Sequence, residues 1–262
     1  MTKPAKPVRT TALTEYKRRG RKIAMLTAYD AAMASLLDQA GIDVLLVGDS
    51  VGMVVMGCPT TIPVTLDAMV HHTRAVANGA SRALIVADLP FLTYQVSPED
   101  ALRSAGRLLQ EGGAAAVKLE GGRSVASTVN RLVEAGIPVM GHLGLTPQSV
   151  HQLGGFRRRP ESETEALLAD AHLLQEAGAF AVVLELIHPE TARAITAELA
   201  VPTIGIGAGP HCDGQVLVSY DAFGLFPGPV PSFVKPYARL GEEMVTAART
   251  YIADVQEGRF PE

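Results

Sequence analysis

Tryptophan is absent from these 262 residues, and aromatic side chains make up only 5% of them. The core must therefore be built from aliphatic and small side chains. Glycine, at 25 residues, is plentiful, and so is alanine. Small residues let helices lie close on a sheet, which suits a tight α/β fold. Cysteine is scarce as well. Cys58 and Cys212 stand far apart and form no C-x-x-C pair, so both read as free thiols of a cytoplasmic protein. No apolar run approaches the ~18 residues of a membrane span. The basic stretch Met1 to Gly20 lacks the apolar core of a signal peptide and reads as a short arm with a small helix near Thr11 to Arg19. The net charge of −4 is spread over both signs with no basic block, which argues against a nucleic-acid partner.

What is present is a regular alternation of two textures. Short apolar runs occur at Ile23–Thr27, Val44–Gly48, Leu84–Asp88, Ala116–Leu119, Val139–His142, Ala181–Glu185, Thr203–Ile206 and Val216–Val218. Their length and β-branched content suit strands buried on both faces. Helical patterns lie between them, at about Ala31–Ala40, Leu66–Asn78, Pro98–Glu111, Ser124–Ala135, Glu163–Ala177 and Glu190–Ala200. Ser97-Pro98-Glu99-Asp100 has the form of a helix start, and Gly41, Gly112, Gly136 and Gly178 stand as stops. Repeated β–α alternation implies parallel strands with crossover helices. Eight strands in a chain near the ~250-residue norm predict a closed (β/α)₈ TIM barrel, one α/β domain over residues 1–262. A long C-terminal helix is expected over 237–257, with Pro236 at its start.

A barrel's chemistry collects at the C-terminal ends of its strands. Here those ends are polar: Asp49 and Ser50 after the second run, Asp88 after the third, Glu120 after the fourth, His142 on the fifth and Glu185 on the sixth. Neighbouring strands lie ~4.8 Å apart, so Asp49, Asp88 and Glu120 can converge. Clustered carboxylates repel one another, and a hard divalent cation such as Mg²⁺ resolves the repulsion. Helix capping or pairing with loop lysines is the plainer alternative. Lys118, two residues before Glu120, shares its face of the strand. It could bind a substrate carboxylate or enolate oxygen, or simply pair with one of the acids. Glu185 stands apart from the three acids, which suits a base, and its apolar run would raise its pKa. His142 could orient substrate, relay a proton or be structural. His71 and His72 read as surface or packing residues. The Gly205-Ile206-Gly207-Ala208-Gly209 stretch resembles a phosphate cradle, although a tight turn beside the mouth explains it as well.

With these residues in view the sequence resembles the ketopantoate hydroxymethyltransferase (3-methyl-2-oxobutanoate hydroxymethyltransferase) family. The markers run in order from about Ile23 to Tyr237. They are Thr27-Ala28-Tyr29-Asp30, Val47-Gly48-Asp49-Ser50, Pro63-Val64-Thr65-Leu66-Asp67 and His71-His72-Thr73, then Ala87-Asp88-Leu89-Pro90-Phe91 and Val117-Lys118-Leu119-Glu120-Gly121-Gly122. Gly141-His142-Leu143-Gly144-Leu145-Thr146-Pro147-Gln148, Gly205-Ile206-Gly207-Ala208-Gly209 and Asp213-Gly214-Gln215 complete them. The resemblance implies Mg²⁺ held by Asp49, Asp88 and Glu120. It implies substrate contacts from Asp49, Ser50, Asp88, Lys118 and His142, and proton abstraction by Glu185. It implies that 3-methyl-2-oxobutanoate receives a hydroxymethyl group from 5,10-methylenetetrahydrofolate, in a homo-oligomer that the family suggests is a decamer. Three stretches depart from the family pattern: Ile187-His188-Pro189, Arg157-Arg158-Arg159, and Tyr220 where a His is common. Two other readings are a lyase or mutase of the phosphoenolpyruvate mutase and isocitrate lyase type, and a non-catalytic oligomeric scaffold. The first needs an acid or Cys loop after the fourth strand, where Glu120-Gly121-Gly122-Arg123 offers none. The second predicts broken metal ligands, and none is broken.

Overall fold

Eight parallel strands close into a barrel in chain order. In this computed structural model, which describes residues 6–261, they are β1 (Ile23–Thr27), β2 (Val44–Val47), β3 (Leu84–Asp88), β4 (Ala116–Glu120), β5 (Val139–Gly144), β6 (Ala181–Glu185), β7 (Thr203–Ile206) and β8 (Gly214–Leu217). The helices are α1 (Thr10–Arg18), α2 (Ala31–Gln39), α3 (Val51–Val54), α4 (Leu66–Gly79), α5 (Pro98–Gln110), α6 (Ala126–Glu134), α7 (Val150–Leu153), α8 (Thr164–Glu176), α9 (Pro189–Glu198), α10 (Ser219–Ala222) and α11 (Leu240–Gln256). The (β/α)₈ barrel expected from the alternation is therefore present. The chain falls into two compact units, Met1–Val216 and Leu217–Glu262. The first carries the barrel up to Val216, and the second carries α10 and α11. The first five residues of the expected N-terminal arm lie outside the described residues. No helix among the described residues is long and apolar enough to cross a membrane.

Inward-facing side chains follow the two-residue period of a strand. At the N-terminal end of the barrel they are apolar: Ile23 and Met25, Val44 and Leu46, Leu84 and Val86, Ala116, Met140, Ala181 and Val183, Ile204 and Val216. α1 places Leu13, fully buried, into this same cluster beside Val8. One step further along, the same faces turn polar, with Asp88 on β3, Lys118 and Glu120 on β4, His142 on β5 and Glu185 on β6. Register sets Asp88 beside Lys118, Glu120 beside His142, and Gly144 beside Glu185. Burying the apolar floor stabilises the barrel, and the same periodicity carries charged groups into the opposite mouth.

Two boundaries differ from the sequence expectation. β8 begins at Gly214, two residues before the apolar run, because the backbones crowd there. A Cβ on Gly214 would lie 2.6 Å from the Ile23 carbonyl oxygen, so a residue with no apolar signal is required. α11 begins at Leu240 rather than at Tyr237. The N–H of Tyr237 donates to the Ala222 carbonyl (2.7 Å) and that of Leu240 to Phe223 (3.0 Å), so this segment is held by α10 before it turns helical.

The expected start of α5 is built as anticipated: Ser97 Oγ accepts from the Asp100 N–H at 3.1 Å, with Pro98 in the first turn. Ser97→Ala should cost about 1 kcal/mol. Thermal unfolding would show this as a fall of roughly 2–4 °C, and an unchanged midpoint would show the cap to be dispensable.

Candidate active site

Lys118 is buried, and its ammonium lies 2.9 Å from Asp88 Oδ1. Around it the three acids each spend one oxygen on a peptide or amide N–H. Asp49 Oδ2 accepts from Gln148 Nε2 at 2.8 Å. Asp88 Oδ2 accepts from the Asp49 backbone N–H at 3.0 Å. Glu120 Oε2 accepts from the Gln148 backbone N–H, also at 3.0 Å. Of the remaining oxygens, Asp88 Oδ1 faces the Lys118 ammonium, while Glu120 Oε1 is buried without a hydrogen-bond donor. The second strand therefore delivers Asp49 just past its end, and the third and fourth deliver Asp88 and Glu120 within them.

Burial is the main force on these groups. It raises Asp49 to about 7, helped by repulsion from Asp88 and opposed by Lys118 and the Gln148 amide. Burial, and then repulsion from Asp49, also holds Glu120 well above the ordinary carboxylate range. Burial disfavours the Lys118 ammonium, yet the three carboxylates outweigh that and raise it. The acids are near enough to feel one another electrostatically. Among the described residues, however, no three His, Cys, Asp or Glu side chains form a ready-made metal cage. Convergence of the acids goes as far as this shared field, with Gln148 holding Asp49 and Glu120 back.

His142 faces both halves of the mouth. Its Nδ1 is 3.4 Å from the Lys118 ammonium and 3.7 Å from Glu120 Oε1, and its Nε2 is 3.2 Å from Glu185 Oε2. Burial and the Lys118 charge lower its pKa, which favours the neutral ring. An ammonium can only donate, so Nδ1 is assigned the lone pair and Nε2 carries the hydrogen that faces Glu185. Glu185 stands at the end of its apolar run. Its carboxylate is 16% exposed and looks into the mouth beside His142. Behind it, Gly144 has φ +99°, and a Cβ there would collide with the Glu185 carbonyl oxygen.

Ser50 is half-buried, and its hydroxyl lies 2.8 Å from that of Tyr29. Gly48 keeps this corner open, since a Cβ would fall 2.8 Å from Ser50 Oγ. His72 packs on the same corner through Nδ1, 2.7 Å from the Tyr29 carbonyl oxygen, while His71 is exposed. The glycine turn after β7 is a tight turn, with Gly207 and Gly209 at positive φ and Gln215 Nε2 donating to the Gly209 carbonyl at 2.9 Å.

Tyr29, Tyr94 and Gln148 complete the site, and residue-type reasoning did not single them out. Tyr29 and Gln148 lie inside quoted motifs, whereas Tyr94 lies outside all of them. Gln148 closes the Leu145-Thr146-Pro147-Gln148 stretch and is buried.

Comparison with known proteins places the chain in a family. The profile of the ketopantoate hydroxymethyltransferase family matches residues 7–262. The chain belongs to that family. It is 59% identical over 252 residues to the 3-methyl-2-oxobutanoate hydroxymethyltransferase of Moorella thermoacetica, covering 95% of this chain and 94% of that one. The enzyme of the same name from Syntrophus aciditrophicus is 55% identical over 257 residues, covering 97% and 94%. Among solved structures, phosphoenolpyruvate phosphomutase from Streptomyces platensis subsp. rosaceus superposes with a TM-score of 0.65 at 14% identity, over 95% of this chain and 88% of that one. A 2,3-dimethylmalate lyase gives 0.60 at 18%, with the same coverages. These two likenesses concern the fold.

Two of the departures from the family pattern touch each other. Arg158 Nη1 donates to the Ile187 carbonyl at 2.5 Å, and the Arg159 N–H donates to the Leu186 carbonyl at 2.8 Å. Leu186, directly after Glu185, sits at φ +45°, a conformation rare for a bulky side chain. The arginine run thus holds the strained loop that follows β6.

Lys118→Met would leave the acids without their cation. In metal-free protein at pH 8 the loss should be about 3–5 kcal/mol. Asp49 and Glu120 already titrate high, and removing the ammonium moves them higher. As pH falls through about 7 they take up protons in the folded state, so the loss should shrink towards pH 5. Urea unfolding at both pH values measures this, and an equal loss at each would contradict the compensation.

Proposed function

We propose that the protein transfers a hydroxymethyl unit from 5,10-methylenetetrahydrofolate to 3-methyl-2-oxobutanoate, with Mg²⁺ as cofactor. The observation that carries the reading is the set of three buried carboxylates around Lys118, each with one oxygen held by a peptide or amide N–H. Glu120 Oε1 is a buried oxygen with no hydrogen-bond donor, and such hard carboxylate oxygens suit Mg²⁺. Asp49, Asp88 and Glu120 would hold the ion, and water or substrate would complete its shell. Bound there, Mg²⁺ supplies Lewis-acid polarisation to the 2-oxo group.

The chain's own groups do the rest. Lys118 and Ser50 bind the carboxylate and oxo oxygens of the substrate. Glu185 removes the C3 proton, with the neutral His142 ring beside its carboxylate, Nε2 3.2 Å from Oε2. The carbon freed of its proton forms the new carbon–carbon bond to the folate's methylene carbon. Water supplies the hydroxyl, and tetrahydrofolate leaves. A lyase or mutase is less well supported. The loop after β4 is tied down: the Arg123 N–H donates to Asp170 Oδ1 at 3.2 Å, and a Cβ on Gly122 would collide with the same side chain.

Assembly as a homo-oligomer belongs to the same proposal, with α11 at a subunit contact. Met244, Val245, Tyr251, Ile252 and Val255 recur at helical spacing on α11, none of whose residues is buried. The free Cys58 and Cys212 accord with a cytoplasmic setting.

Incubating the protein with Mg²⁺, 3-methyl-2-oxobutanoate and methylenetetrahydrofolate should yield ketopantoate, and stripping the metal should abolish it. Glu185→Gln should bind metal and oxo acid yet exchange the C3 hydrogen with deuterated water roughly 10²- to 10⁴-fold more slowly. Exchange at the wild-type rate would remove Glu185 from the role of base. Light scattering at micromolar concentration should give a mass well above that of one chain, and a monomer would remove α11 from a subunit contact.

A further inference from the structure

Gln148 is buried and has all of its amide bonding capacity in use. Its Nε2 donates to Asp49 Oδ2 at 2.8 Å and to the Leu89 carbonyl at 2.9 Å. Its Oε1 accepts from the Tyr94 hydroxyl at 2.7 Å and from Gln95 Nε2 at 3.1 Å. Tyr94 has a single hydroxyl hydrogen, and the shorter contact directs it to Gln148, so its oxygen is free to accept the Glu120 N–H at 3.1 Å. A flipped amide would set its oxygen against a carboxylate and a carbonyl, and its NH₂ against the Gln95 NH₂. The orientation is therefore determined by its neighbours.

One residue thus takes up an oxygen of two acids, Asp49 through the side chain and Glu120 through the backbone. A carboxylate with one oxygen committed to a donor is left as a one-oxygen ligand. Mg²⁺ demands near-ideal octahedral geometry and few carboxylate ligands, whereas Ca²⁺ accepts six to eight oxygens and bidentate carboxylates. We propose that Gln148, its amide fixed by Tyr94, is a specificity-determining residue. Its side chain keeps Asp49 as a one-oxygen donor and so sets the site for Mg²⁺ against Ca²⁺. The proposal rests on the reading that these acids bind a divalent cation.

Calorimetric titration of the full chain with MgCl₂ and with CaCl₂ tests it. Gln148→Met keeps the bulk of the side chain and loses both polar ends. Its Mg²⁺ affinity should fall about tenfold or more while Ca²⁺ affinity holds or rises, so the Ca²⁺-to-Mg²⁺ affinity ratio climbs about tenfold. Tyr94→Phe retains the ring and removes one of the two donors to the amide oxygen, and it should move the ratio in the same direction by less. Should Gln148→Met fail to fold by circular dichroism, Tyr94→Phe carries the test. Ratios within about twofold of wild type in the folded variants would overturn the proposal while leaving the metal site standing. A wild-type protein that binds neither ion would take both down.

Discussion

Lys118 brings a positive charge into a barrel mouth that otherwise holds buried acids. Its ammonium sits 2.9 Å from Asp88 Oδ1, in the field of Asp49 and Glu120. Without it the same three carboxylates would have to be protonated or expelled, because isolated charges are costly away from water. One cation does not fully balance three acids. That residue of repulsion, added to burial, lifts Asp49 and Glu120. The mouth thus carries an excess of buried negative charge. A further positive charge would relieve it, while apolar replacement of Lys118 would worsen it.

The state of the neighbouring strands follows from that ammonium. Its charge and the burial of β5 keep His142 neutral, and its donors place the lone pair of Nδ1 on the Lys118 side. The ring hydrogen is then left for Nε2, 3.2 Å from Glu185 Oε2. Cation, ring and carboxylate form one chain of consequence across β4, β5 and β6. The His142 ring thus stands between the Lys118 ammonium and the Glu185 carboxylate. The arrangement is local, since each link is a contact between adjacent strands.

Much of this was readable from residue order. Period-two spacing puts Lys118 and Glu120 on one face, and apolar runs locate the strands to within a residue or two. What escaped had physical causes. β8 starts on Gly214, whose requirement is close backbone approach to Ile23, and no apolar count detects that. α11 starts late because Tyr237 and Leu240 spend their N–H groups on Ala222 and Phe223. Glu185 ends an apolar strand, and the group beside its carboxylate, His142, comes from the next strand. Tyr94 and Gln148 were invisible as chemistry because neither bears charge; their part appears only when hydrogen-bond partners are traced across four loops.

The same tracing changes how the arginine run is understood. Taken singly, Arg157-Arg158-Arg159 and Ile187-His188-Pro189 are two unrelated departures from the family pattern. In the fold, Arg158 and Arg159 bond the carbonyls of Ile187 and Leu186. A left-handed Leu186 costs on the order of 1–3 kcal/mol, so the loop after Glu185 needs outside support to keep that shape. The arginine backbone and guanidinium supply it, and the Arg159–Glu163 pair at 2.7 Å anchors the run in turn. A change on one side of this contact alters what the other side must satisfy. The two departures are therefore one structural solution for holding the loop that carries the chain away from Glu185.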